Sequence, residues 1–62
     1  MKRQYYFTIE LESSENCAGY VLARTHGSAW EKASRIARTM SDAMDSEIKT
    51  LTVREVWKDG EE

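Results

Sequence analysis

Residues 19–44, GYVLARTHGSAWEKASRIARTMSDAM, narrow the choice of fold more than any other stretch: an apolar run of strand type turns through Thr-His-Gly-Ser into an amphipathic helix. Ser28 stands three residues before Glu31, the spacing of a capping box in which each side chain satisfies the other's backbone N–H. The helix is therefore predicted to start at Ser28. Ala29, Ala33, Ile36, Ala37, Met40, Ala43 and Met44 then recur at helical spacing as one apolar stripe, with Trp30 at its edge. The stripe is mostly Ala and Met, so this helix is expected to lie close to whatever it packs on. On the opposite face, Glu31 with Arg35 and Arg38 with Asp42 have the i,i+4 spacing of weak exposed ion pairs.

Ahead of the helix, residues 4–12 (QYYFTIELE) alternate cleanly. Tyr5, Phe7, Ile9 and Leu11 fall on one side, Tyr6, Thr8, Glu10 and Glu12 on the other, which describes a strand with one buried face. Residues 13–19 read as a polar loop and residues 20–24 as a second strand that returns as a hairpin. Residues 47–58 (EIKTLTVREVWK) are rich in strand formers and make the third strand. Leu51, Val53 and Trp57 share one face there, whereas Ile48 and Val56 belong to the other, so a bulge or a second apolar surface is expected.

A ββαβ order leaves few topologies. With the helix crossing the sheet, the predicted architecture is of α+β class: a three-stranded antiparallel sheet of order 2-1-3, with one helix packed on one face, in a single domain over residues 1–62. Ile9 and Ile36 are expected to be buried against each other's elements. A chain of 62 residues with one Cys has neither a disulfide framework nor a metal motif to supplement so small a core. The second face of the sheet is left to carry Tyr6, one or two of Tyr20 and Leu22, and Ile48 or Val56. Uncovered apolar clusters of this kind mark a partner site or a homodimer seam.

Charge and motifs exclude several functional classes. With 9 Lys plus Arg against 11 Asp plus Glu, the chain lacks the basic excess that phosphate binding demands, so nucleic acid is not the expected partner. No apolar run approaches membrane-spanning length, and the opening residues lack the apolar core of a signal peptide. Together with the unpaired Cys17, this gives the expectation of a cytoplasmic protein without a membrane partner. Cys17 and His26 offer the residue types of a nucleophile and base, but no third group stands ready to orient them. Nor do one Cys, one His and scattered carboxylates show a metal-ligand spacing. No catalytic residue, metal or cofactor is expected. Glu10 and Glu12 share one side of the first strand, an arrangement that more often serves solubility or meets an Arg on a partner than performs acid–base chemistry.

The aromatic first strand followed by Ser-Ser-Glu (YYFTIELESSE), the Ala-rich helix (AWEKASRIA) and the last strand TVREVW resemble the small RNA polymerase inhibitors of T7-like phages. Those are ββαβ domains that bind the host enzyme's jaw and block productive promoter complexes. The resemblance implies a phage-encoded, non-enzymatic inhibitor of bacterial transcription. It places Arg54 where such inhibitors carry basic residues on their last strand, though this chain has one arginine where they have a closer cluster. Arg24 and the acidic Glu10, Glu12 and Glu15 would add charge complementarity, and Tyr6 an aromatic anchor. YYFTIELE, GYVLAR and AWEKASRIA are also similar to HicB-type antitoxins, whose Pro-Asp-Leu-Pro-Gly segment has no counterpart here. The alternative expectations are a fragment of such an antitoxin, or a nucleic-acid-binding accessory protein using Lys32, Arg35 and Arg38 on the helix. A ribonuclease using His26 is a further alternative that lacks its second catalytic group.

Overall fold

A computed structural model describes residues 2–56 of the chain. Their order is β1 (Arg3–Leu11), β2 (Asn16–Ala23), α1 (His26–Met44) and β3 (Ile48–Glu55). The strands form one antiparallel sheet in the order β2-β1-β3, with α1 against one face, as the alternation and crossover arguments predict. Trp57 and Lys58, assigned from sequence to the third strand, lie outside the described residues.

β1 is the central strand and supplies most of the core. Tyr5, Phe7, Ile9 and Leu11 are all buried, joined by Ala23 of β2, Val53 of β3 and Ala29, Ala33 and Ala37 of α1. The three helical alanines recur every fourth residue, so a single line of methyl groups meets the sheet and brings the helix axis close to it. Removing each of the large β1 side chains from water contributes about 1.5–3 kcal/mol, set against the conformational entropy lost in ordering the chain. Phe7 also covers a gap: it leans over Gly19, its directly paired neighbour on β2, where a Cβ would stand 3.1 Å from the ring.

The structure moves several boundaries. The helix is capped three residues earlier than the Ser28 box implies: Thr25 has extended backbone, and its hydroxyl accepts from the Ser28 N–H at 3.1 Å. The same i→i+3 geometry is thus made by Thr25, with Ser28 inside the first turn. β2 begins at Asn16 rather than at residue 20, and Arg24 falls just past its end. The long loop expected over residues 13–19 is instead a three-residue hairpin connection. The Ser14 N–H donates to the Leu11 carbonyl and the Leu11 N–H to the Glu15 carbonyl, with Ser14 left-handed at φ 77°. The helix ends at Asp45, also left-handed at φ 53°, whose N–H closes back on Asp42.

Ile36 is a further correction, being 38% exposed and not part of the core. The alanine line is narrow, and Ile36 projects from its flank on the β2 side, beside Cys17. Glu31–Arg35 and Arg38–Asp42 do not close; the ion pair among the described residues joins Arg3 to Glu55 across the sheet at 3.4 Å. The expected bulge is present. Glu10 pairs with Thr50 and Leu11 with Ile48, so Lys49 is the extra residue, and Ile48 returns to the side of Leu11.

Candidate functional site

The face of the sheet away from α1 is covered by no other described element, and the ladder arranges it in rows. Residues directly paired across antiparallel strands share a face, so Tyr20, Tyr6 and Arg54 form one row, Ala18, Thr8 and Thr52 the next, and Asn16, Glu10 and Thr50 a third. Leu22 lies beside Gln4 at the near end, and Val56 donates its N–H to the Gln4 carbonyl.

The Tyr6 row is a built cluster. The Tyr6 and Tyr20 rings lie 5.3 Å apart at 56°, and the Arg54 guanidinium stands 5.5 Å from the centre of the Tyr6 ring, within cation–π range. Tyr20 remains 59% exposed and Leu22 54%. A shallow depression runs between Tyr6, Tyr20, Arg54, Glu55 and Val56. Two aromatic rings, one cation and two aliphatic side chains therefore occupy one corner of an uncovered sheet. Next to it the Thr8 and Thr52 hydroxyls share a hydrogen bond and make the middle of the face polar.

The six residues singled out from sequence divide into two groups. Tyr6 and Arg54 touch, and Arg24 is exposed past the end of β2, at the same end of the sheet. Glu10 lies four residues along β1 from Tyr6, about 13 Å away at strand rise. Glu12 and Glu15 flank the hairpin turn beyond it. Glu10, Glu12 and Glu15 thus stand toward the hairpin end of the sheet, and Arg24 and Arg54 toward the other, where Glu55 also lies. Tyr20 and Leu22 complete the aromatic corner, as their parity with Tyr6 and Gln4 in the hairpin indicates.

Cys17 and His26 are not brought together. The imidazole of His26, at the start of α1, meets the Val53 carbonyl through Nε2 at 2.9 Å and packs edge-on to Tyr5 at 5.8 Å. It ties the helix to β3 and the core. Cys17 is exposed on β2, paired with Ile9 and beside the later turns of α1. No group of three or more potential metal-ligating side chains occurs among the described residues. No helix among them is long and apolar enough to cross a membrane.

The proposed basic helix face is also divided. Arg35 and Arg38 line a shallow pocket with Trp30, Ser34 and Glu31, whereas Lys32 turns toward the sheet and donates to the Leu22 carbonyl at 2.5 Å. Comparison with known proteins finds no matching family model, curated protein or solved structure.

Proposed function

We propose that this chain is a non-enzymatic protein-binding module that docks the Tyr6–Tyr20–Arg54 corner of its open sheet face against an acidic surface of a larger bacterial protein. The observation that carries this reading is the Tyr6 ring held between Tyr20 and Arg54 on a face that no described element covers. Aromatic rings and arginine are the side chains that most often concentrate binding energy at protein interfaces. Arg54 and Arg24 toward one end of the sheet, with Glu55 beside Arg54, and Glu10, Glu12 and Glu15 toward the other give an uneven charge distribution that would orient a partner of complementary pattern. The resemblance to the phage inhibitors makes host RNA polymerase the first candidate, with a phage-encoded, cytoplasmic inhibitor of transcription as the corresponding role.

The test is binding of the wild type and Arg54→Glu to purified bacterial RNA polymerase, with a transcription assay alongside. Binding and inhibition by the wild type are expected, with at least tenfold weaker binding by Arg54→Glu at an unchanged circular dichroism spectrum. A wild type that neither binds nor inhibits disposes of the polymerase assignment. Survival of a measured complex through both Arg54→Glu and Tyr6→Ser removes the docking corner.

A second reading rests on Trp30, which is 41% exposed beside Arg35 and Arg38 and provides a stacking ring next to two phosphate-binding groups. Glu31 in the same pocket and the formal net charge of −2 oppose it. Binding to single-stranded nucleic acid that falls steeply with salt and disappears in Arg35→Glu/Arg38→Glu would establish it.

A further inference from the structure

The two edges of the sheet are guarded very differently. On β3 the Val53 carbonyl is occupied by His26, Lys49 forms a bulge, and Arg54 and Glu55 add charge, all devices that discourage another strand from pairing there. β2 (NCAGYVLA) has no charged residue, no proline and no bulge along its eight residues.

Hydrogen-bond alternation identifies which β2 groups are free. Gln4 directs its carbonyl to Val56, on the β3 side, while Leu11 directs its N–H to Glu15, on the β2 side. Odd positions of β1 therefore bond β2, and even positions bond β3. In the β1–β2 register, Cys17, Gly19, Val21 and Ala23 face β1, leaving Asn16, Ala18, Tyr20 and Leu22 with N–H and C=O pointed off the edge. The hydrogen bond from Lys32 to the Leu22 carbonyl agrees with that direction and closes one end. What stays open runs from Asn16 to Tyr20 and is centred on Ala18.

We propose that a second copy of this chain pairs antiparallel along this edge about a two-fold axis at Ala18, joining two three-stranded sheets into one continuous sheet. Ala18 then exchanges both backbone hydrogen bonds with Ala18 of the second copy, and Asn16 does so with Tyr20. The free groups match their own image under that axis, and the strand itself carries no charge to oppose its image. The axis stands perpendicular to the sheet, so both helices lie on the same side. That arrangement accounts for a separate feature. The flank of α1 next to β2 presents Ile36, Met40 and Ala43 above Cys17 in a mainly apolar cleft that Arg35 and Thr39 also line, and pairing sets the clefts of the two copies side by side over the joined strands. On the other face the pairing sets Asn16 of the second copy beside Tyr20 and leaves Tyr6 and Arg54 uncovered, so this association does not rest on the docking reading.

Sedimentation equilibrium on the wild-type chain, from about 1 to 200 μM, tests the association. A dimer mass is expected at the upper end. Ala18→Pro removes an N–H that makes no bond within the chain and should give a folded monomer. Ala18→Glu places carboxylates opposite each other across the axis and should also be monomeric, which keeps the test valid if the proline variant fails to fold. The register has its own readout. In a Cys17→Ser background, Ala18→Cys should crosslink under mild oxidation, since hydrogen-bonded pairs stand about 5.5 Å apart at Cα, within disulfide range, whereas Leu22→Cys should not. A monomer mass throughout the range overturns the proposal. So does a dimer that survives both Ala18→Pro and Ala18→Glu, or one in which Leu22→Cys crosslinks and Ala18→Cys does not.

Discussion

β1 presents two sets of side chains that differ in everything except their backbone. Tyr5, Phe7, Ile9 and Leu11 are packed under α1 with almost no exposure, while Gln4, Tyr6, Thr8 and Glu10, interleaved with them, are only half buried by their neighbours on the open face. The first set is stabilised by removal from water, the second by ring stacking, cation–π contact and hydroxyl pairing. Each open-face contact is worth about 0.2–1.5 kcal/mol, against about 1.5–3 kcal/mol for each buried side chain. One face therefore carries most of the stability of the fold, and the other tolerates substitution at little cost to it.

The largest effect that sharpens this contrast is expected at Ile9, which is 1% exposed. Ile9→Ala should lose about 2–5 kcal/mol in urea unfolding, much of the roughly 3–9 kcal/mol available to a chain of this size. Ile36→Ala, measured alongside, should lose less than about 1 kcal/mol because its side chain is already partly solvated. Equal losses at the two sites would return Ile36 to the core and blur the line between covered and uncovered surface. Next in size is Gly19→Val: its branched side chain must displace the Phe7 ring on the covered face, at a cost of about 1–3 kcal/mol in the same assay.

A gain is expected at the hairpin, where both faces share a ladder. Ser14 holds a left-handed backbone that glycine adopts without penalty, so Ser14→Gly should stabilise the fold by about 1 kcal/mol and raise the thermal midpoint without altering partner binding. The smallest effect belongs to the open face. A double-mutant cycle with Thr8→Val and Thr52→Val should give a coupling of about 0.2–1 kcal/mol, and a value of several kcal/mol would mean that this face also holds the domain together.

The parts of the fold legible in sequence are those where one physical signal acts alone. β1 alternates with period two over its whole length, and every residue assigned to its buried side is buried. The cap was ambiguous because Thr25 and Ser28 both offer a hydroxyl of the right type, and only the backbone at Thr25 decides between them. The beginning of β2 was hidden for a different reason. Asn-Cys-Ala-Gly has weak strand preference, and its conformation is imposed by pairing with β1, through a turn that uses Ser14 where glycine would have announced it. Parity placed Tyr6 on the open face correctly and set Arg54 away from Leu51 and Val53. It could not show that Glu10, Glu12 and Glu15 stand a strand's length from Arg54, because separation along a sheet depends on register as well as on face.

The central position of β1 also governs the order of events during synthesis. Phe7 pairs with Val53, so the strand made first must wait for the one made last before its second edge is occupied. From the end of β2 at Ala23 to the end of β3 at Glu55, at about 5–20 residues per second, the β1–β2 hairpin exists without its third strand for roughly 2–6 s. An isolated two-stranded hairpin is marginal in water, so little of this domain can be secured before β3 is made. Sheet closure and helix docking then coincide with the arrival of β3, and nascent chains halted before residue 48 should be digested by protease as readily as an unfolded polypeptide.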